Sequence, residues 1–277
     1  MTNSLLKGLE DTVRNALAED IGSGDITAEL IPEDRVAEAR VICRQYATLC
    51  GEPWVSEVFR QVDPDTTLEW QHQDGNALSP NDVVFIARGK ARSLLTAERT
   101  ALNFLQTLSS VASRAKTIAD QVQHTGVRIL DTRKTIPGLR LAQKYAVQVG
   151  GCHNHRIGLY DAYLIKENHI HACGGITDAI VHARELHPQR QVEVEVETHD
   201  QLREALDAGA DIVLLDNHTL DMLREAVKIN NGKAKLEASG GYDIDSAKSV
   251  AETGIDFISV GSLTKHIEAT DFTMLFD

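Results

Sequence analysis

Aromatic side chains are scarce in this chain, 5% of 277 residues. That leaves few flat rings and argues against a base-stacking nucleic-acid platform. Cysteine is rarer still. Cys43, Cys50, Cys152 and Cys173 contain no C-x-x-C pair, so the spacing indicates no disulfide frame. Long apolar runs are missing, both in the first thirty residues and at membrane-span length. Neither a signal peptide nor a membrane partner is expected, and the chain reads as a cytoplasmic protein of a reducing compartment. Positive charge is also in deficit. Against 41 Asp and Glu stand 28 Lys and Arg, a net charge of −13. Such a chain is a poor general binder of polyanions, and no nucleic-acid partner is expected.

What is present is an apolar fraction of 42%, enough for a large core in one large domain or two unequal ones. Leu5, Leu6, Leu9, Val13, Ala16 and Leu17 recur at helical spacing before the break at Gly22-Ser23-Gly24-Asp25. Residues 36–42 alternate like a strand. Asp74-Gly75-Asn76 reads as a turn between strands at 68–70 and 83–86. These pieces predict a small α+β domain at the front. A long helix is expected from near Thr96 to His124, with Leu102, Leu105, Leu108 and Ala112 on its buried face.

From Val127 the pattern changes. Short apolar runs at 127–130, 162–165, 192–196, 212–215, 234–238 and 257–260 alternate with amphipathic segments that end near Gly209, Gly232 and Gly254. Strand–helix repeats of this kind predict a parallel sheet, as a β/α barrel, complete or incomplete, or as an open doubly wound sheet. Polar residues follow nearly every strand, where barrel enzymes assemble their sites.

The segment 128–166 is the most informative. It holds seven cations, Arg128, Arg133, Lys134, Arg140, Lys144, Arg156 and Lys166, against Asp131 and Asp161. A charge run is usually a solvated face. Here Arg133, Lys134 and Lys166 directly follow strands, which favours a pocket for a small polyanion. Arg140 and Lys144 lie four apart on a helix and read as solvated. Ser239-Gly240-Gly241 and Gly261-Ser262 follow late strands and favour phosphate, since glycine lets backbone N–H groups approach an anion. Glu195 and Asp216 end neighbouring strands. They suit ribose hydroxyls, a magnesium ion held through water, or a developing positive charge. A salt bridge to nearby lysines suits Glu193 equally well. For Glu195, nearer the rim on the same strand face, the site role is favoured. The pairs His153/His155 and His169/His171 lack the spacing of a zinc helix, and His155 reads better as a neutral donor to an anion.

Residues 131–140, Asp-Thr-Arg-Lys-Thr-Ile-Pro-Gly-Leu-Arg, resemble the signature of quinolinate phosphoribosyltransferases, the carboxylating nicotinate-nucleotide pyrophosphorylases. So do residues 150–159 and 164–169, the Glu98–Asn103 stretch, Glu195, Leu215-Asp216-Asn217, Ala238–Gly241 and Val260-Gly261-Ser262. Cys152 departs from the pattern, standing where family members often carry a third glycine. The resemblance implies an open, incomplete β/α barrel over 108–277 behind a smaller α/β sandwich domain over 1–107, with the last residues packing back on the latter. It implies quinolinate and phosphoribosyl pyrophosphate as substrates, magnesium and no organic cofactor, and a homodimer with shared sites, or a higher oligomer. Arg99, Arg133, His155, Arg156 and Lys166 would surround quinolinate, and Thr132 would bind substrate as well. Lys134 would face pyrophosphate, Glu195 and Asp216 the ribose and metal, and Ser239, Gly240, Gly241, Gly261 and Ser262 the 5′-phosphate. Lys134, Lys166, Glu195 and Asp216 would be catalytic. A paralogue acting on another heterocyclic acid, a non-catalytic sensor of phosphorylated ligands and an aldolase using Lys166 as a Schiff base are the alternatives.

Overall fold

The computed structural model describes residues 2–276. In chain order its elements begin with α1 (Thr2–Leu5), α2 (Leu9–Ile21), β1 (Val36–Cys43), β2 (Ala47–Thr48), α3 (Glu52–Val62), β3 (Thr67–Trp70), β4 (Ala77–Leu78), β5 (Val83–Lys90) and α4 (Ala91–Val122). Then come β6 (Arg128–Leu130), α5 (Arg140–Val149), β7 (Tyr163–Ile165), α6 (Glu167–Cys173), α7 (Ile176–Leu186), β8 (Val192–Val196), α8 (His199–Asp207) and β9 (Ile212–Asp216). The last are α9 (Leu220–Asn230), β10 (Lys235–Ser239), α10 (Ile244–Ala251), β11 (Phe257–Ser259), α11 (Ser262–Lys265) and β12 (Phe272–Phe276). The chain forms two compact units. One comprises residues 1–116, 135–151 and 266–277, the other residues 117–134 and 152–265.

The first unit is built on an antiparallel sheet in the order β12-β1-β5-β3. Alternation along β1 buries Ala39, Val41 and Cys43, and β5 contributes Val84, Phe85 and Ala87 to the core. Helix α3 covers Phe85 with Phe59, the rings meeting edge-on at 6.0 Å. The start of α3 is capped from a distance. Asp74 Oδ1 accepts from the N–H groups of Gly51 and Glu52 at 2.9 and 3.1 Å. Helix α4 starts five residues before the expected Thr96. No residue after Gly89 breaks the chain, and Ala91, Leu94 and Leu95 are strong helix formers. The solvated reading of Lys144 is corrected. Helix α5 buries every residue from Ala142 to Val147, more than a full turn, so no face of that stretch reaches water and Lys144 is fully enclosed. Arg140 is half-buried and donates from Nε to Thr135 Oγ1.

The second unit is a six-stranded sheet in the order β6-β11-β10-β9-β8-β7, parallel at every pairing. Each predicted run forms its strand, displaced by a residue at most. Strands β6 and β7 are the two edges, and no ladder joins them among the described residues, so the β/α barrel is open. Beside β6, His153 forms a single parallel bridge with Leu130. Helices α8, α9 and α10 begin on side-chain caps from Thr198, Thr219 and Asp243. Gly209, Gly232 and Gly254 follow the same three helices with positive φ. Among the described residues, no helix is long and apolar enough to cross a membrane.

Candidate active site

Every predicted site residue except Arg99 lies in the second unit, just past or beside the carboxyl end of a strand. Arg99 is exposed on α4, within the first unit. Parallel pairing aligns the strand ends, which sets these side chains along one rim.

After β6 the chain turns, and Thr132 Oγ1 accepts from Lys134 N–H at 3.1 Å. Lys134 then lies across Gly261. A Cβ there would sit 3.0 Å from Lys134 Cδ and 3.5 Å from its Nζ, so the glycine admits the lysine. Thr264 Oγ1 donates to Lys134 O at 2.9 Å. The turns after β6 and β11 are thus brought together. Two donors stay buried and without a partner here, Arg133 Nε and Ser262 Oγ. Groups of that kind suit an anionic ligand.

The loop after His153 carries His155 and Arg156. Asp131, fully buried, accepts from His155 N–H at 2.9 Å and from Asn154 Nδ2 at 2.7 Å. Burial and the charge of Arg133 depress the Arg156 guanidinium, while Glu193 and Asp161 act in the opposite sense. Two arginines are therefore held near one another, an arrangement that an anionic ligand relieves.

His155 faces two carboxylates of the protein. Its Nε2 lies 3.0 Å from Glu193 and 3.5 Å from Glu237. Burial opposes charge on the ring, while the nearby carboxylates of Glu193 and Glu237 favour it. Arg156 N–H approaches Nδ1 at 2.7 Å and needs that nitrogen's lone pair. The ring hydrogen accordingly lies on Nε2, toward Glu193. Both ring nitrogens are engaged within the protein.

Lys166, after β7, pairs with Glu195 at the end of β8. The salt-bridge reading set aside for Glu195 is the one displayed, whereas Glu193 pairs with a histidine and not with a lysine. Asp216 ends β9. Burial and then Glu195 raise its pKa, while Lys166 and His218 act against them. Asn217 donates from Nδ2 to Asp216 Oδ2 at 2.7 Å and from its backbone N–H to Ser239 O at 2.9 Å. Glu195 and Asp216 thus offer oxygen donors that repel one another, a pair a hard dication suits.

The sequence reading missed Glu237 and gave no role of their own to Asp131 and Asn217. Alternation along Lys235–Ser239 puts Glu237 on the face of Ser239, and a glutamate amid so short an apolar strand was the available signal.

The description "Quinolinate phosphoribosyl transferase, N-terminal domain" fits residues 25–109, and its C-terminal counterpart fits residues 111–275. The chain belongs to the quinolinate phosphoribosyl transferase family. A probable carboxylating nicotinate-nucleotide pyrophosphorylase of Bacillus subtilis is 38% identical over 267 residues, covering 96% of this chain and 92% of the relative. The chloroplastic carboxylating enzyme of Oryza sativa is 38% identical, covering 97% of this chain and 78% of the relative. Among solved structures, the nicotinate-nucleotide pyrophosphorylase of Francisella tularensis superposes with a TM-score of 0.95 at 47% identity, covering 97% and 96% of the two chains. That of Ehrlichia chaffeensis gives 0.92 at 36% identity, covering 96% and 98%. The resemblance carried by residues 131–140 is borne out, as is the barrel behind a sheet-based domain. Family membership makes the chain a transferase.

Proposed function

We propose that this family member transfers the phosphoribosyl group of phosphoribosyl pyrophosphate to quinolinate, releasing pyrophosphate and carbon dioxide and leaving nicotinate mononucleotide. The observation that carries the reading is that Arg133, Lys134, Arg156 and Lys166 share the strand-end rim of one parallel sheet with Glu195 and Asp216, Lys166 being paired with Glu195.

Both substrates are polyanions, and a dense set of cations offsets their repulsion. In this reading Arg133, Arg156 and Lys166 take the acceptor's carboxylates together with Arg99, while His155 lines the acceptor's side of the site and Thr132 adds a substrate-binding hydroxyl. Lys134 faces pyrophosphate. Ser239, Gly240, Gly241, Gly261 and Ser262 hold the 5′-phosphate. The ring nitrogen of quinolinate attacks C1 of the ribose as the C1–O bond to pyrophosphate breaks. Glu195 and Asp216 stabilise the positive charge that develops on the ribose, with Lys166 fixing Glu195. The product nitrogen is a pyridinium. It holds the electron pair left on the adjacent carbon when the C–C bond to the carboxylate breaks, and a proton then replaces carbon dioxide. The substrate is its own electron sink, so no organic cofactor is needed. Magnesium, when bound, would supply charge neutralisation for pyrophosphate, held through water by Glu195 and Asp216. The same reading includes a homodimer with shared sites or a higher oligomer, a cytoplasmic setting, and domains divided at 107/108.

The test is nucleotide formation and carbon dioxide release with magnesium, phosphoribosyl pyrophosphate and a panel of pyridine carboxylates. Quinolinate should be preferred to nicotinate by at least ~10²-fold, since losing a carboxylate leaves cations unpaired. Equal use of nicotinate, or turnover only with another heterocyclic acid, would overturn the assignment. Binding without turnover would make the chain a sensor.

A further inference from the structure

Beneath the rim, the barrel interior contains two carboxylates where parallel barrels ordinarily pack branched apolar side chains. Glu193 on β8 and Glu237 on β10 are 3% and 0% exposed. Strand β9 separates their strands, yet the sheet curves enough for both to reach His155 Nε2. Glu193 Oε1 and both oxygens of Glu237 have no hydrogen-bond partner. Burying carboxylates in this way is costly unless they hold something in place.

What they hold is the loop of His155 and Arg156. From one side Asp131 grips its backbone and Asn154. From beneath, Glu193 receives the Nε2 hydrogen of His155. The ring's other nitrogen receives the N–H of Arg156, so ring orientation and the Arg156 backbone are tied together. The three ligand atoms of His155, Glu193 and Glu237 lie within 4.8 Å of one another, a spacing that would also suit a metal ion. The Arg156 contact decides against that. A neutral ring whose Nδ1 accepts a hydrogen bond carries its hydrogen on Nε2, which makes Nε2 a donor and not a ligand.

We propose that Glu193 and Glu237 are positioning residues that fix the His155 ring from inside the barrel and so hold Arg156 ready for the acceptor's carboxylates. The proposal rests on the quinolinate reading for the identity of the acceptor. Neither carboxylate touches substrate. Their effect is confined to the acceptor, because the loop they hold carries no residue assigned to the sugar donor.

The test uses the full-length protein with Glu237→Leu and Glu193→Gln. Quinolinate KM should rise about tenfold in Glu237→Leu, with kcat held within about threefold and the KM of phosphoribosyl pyrophosphate within about twofold. Glu193→Gln, whose amide oxygen still accepts from Nε2–H, should show a smaller rise. With histidine labelled by ¹⁵N, the His155 Nε2–H resonance should be protected from exchange in the wild type and should shift and broaden in Glu237→Leu. The unfolding temperature of Glu237→Leu should equal or exceed that of the wild type, since the desolvation cost of a fully buried carboxylate is removed along with its long 3.5 Å contact to His155. Unchanged quinolinate KM with an unchanged resonance would overturn the proposal. So would a lower unfolding temperature with equal loss of both substrates, which is a structural role. A stoichiometric divalent metal in the purified wild type, lost in Glu237→Leu, would replace positioning by metal binding. The resonance is read without turnover, so a wild type that ignores quinolinate defeats the functional reading separately.

Discussion

Gly240 lies so close to Asn217 that a Cβ at position 240 would sit 2.5 Å from Asn217 Oδ1, 2.6 Å from its backbone nitrogen and 2.8 Å from its Cα. Asn217 is itself in the left-handed region, at φ 53°, and its side chain holds Asp216. The glycine loop after β10 and the carboxylate after β9 are therefore one packed unit.

Gly240→Ala should disturb both. The added methyl meets backbone, and φ of +120° is itself strained for an L side chain, so about 2–4 kcal/mol of destabilisation is expected. Gly241→Ala is the control. Its φ is +77° with nothing within 4 Å of a Cβ, so only the backbone strain applies, about 1 kcal/mol. Denaturant unfolding and the KM of phosphoribosyl pyrophosphate should both be worse for Gly240→Ala. Equal behaviour of the two variants would mean that the Asn217 contact relaxes freely.

A second expectation follows from Asp216. Burial and Glu195 raise its pKa, so it takes up a proton at a higher pH than an ordinary carboxylate. Activity that needs this charge is lost as pH falls through the raised value. Glu195→Gln removes one of the raising charges and leaves Lys166 unpaired beside Asp216, and both changes lower the Asp216 pKa. The acid limb of kcat/KM should move to lower pH in Glu195→Gln, while kcat falls by at least ~10²-fold from lost charge stabilisation. An acid limb that stays in place would show that another group sets it.

The order of strands and the polar residues that end them were legible from Val127 onward, because a buried parallel strand is a short apolar run bounded by polar residues. The long motif at 131–140 made the family legible too. Lys144 was not, since spacing on α5 says which residues share a face and nothing about whether the helix is covered on every side. Nor was the place of His155. Its partners are 38 and 82 residues away in sequence, on β8 and β10, and only the curvature of the sheet brings them together. The same limit explains the pairing of Lys166 with Glu195, which depends on the β7–β8 register.

Arg99 supplies the last prediction. It is exposed on α4, in a different compact unit from every other proposed site residue. An exposed arginine is by default a solvated charge. In the proposed dimer it instead reaches the site of the partner subunit, so that each site needs Arg99 from one chain and Lys134 from the other. Arg99→Ala and Lys134→Ala should each be nearly inactive alone. Mixed dimers of the two have one site with both residues intact and one with both lost. Random reassociation makes about half the dimers mixed, so about a quarter of all sites should recover activity. Native mass spectrometry confirms that subunits have exchanged. Exchange without recovery would place Arg99 within its own chain's chemistry or outside the reaction altogether, because only a site shared between two chains can be rebuilt from two defective ones.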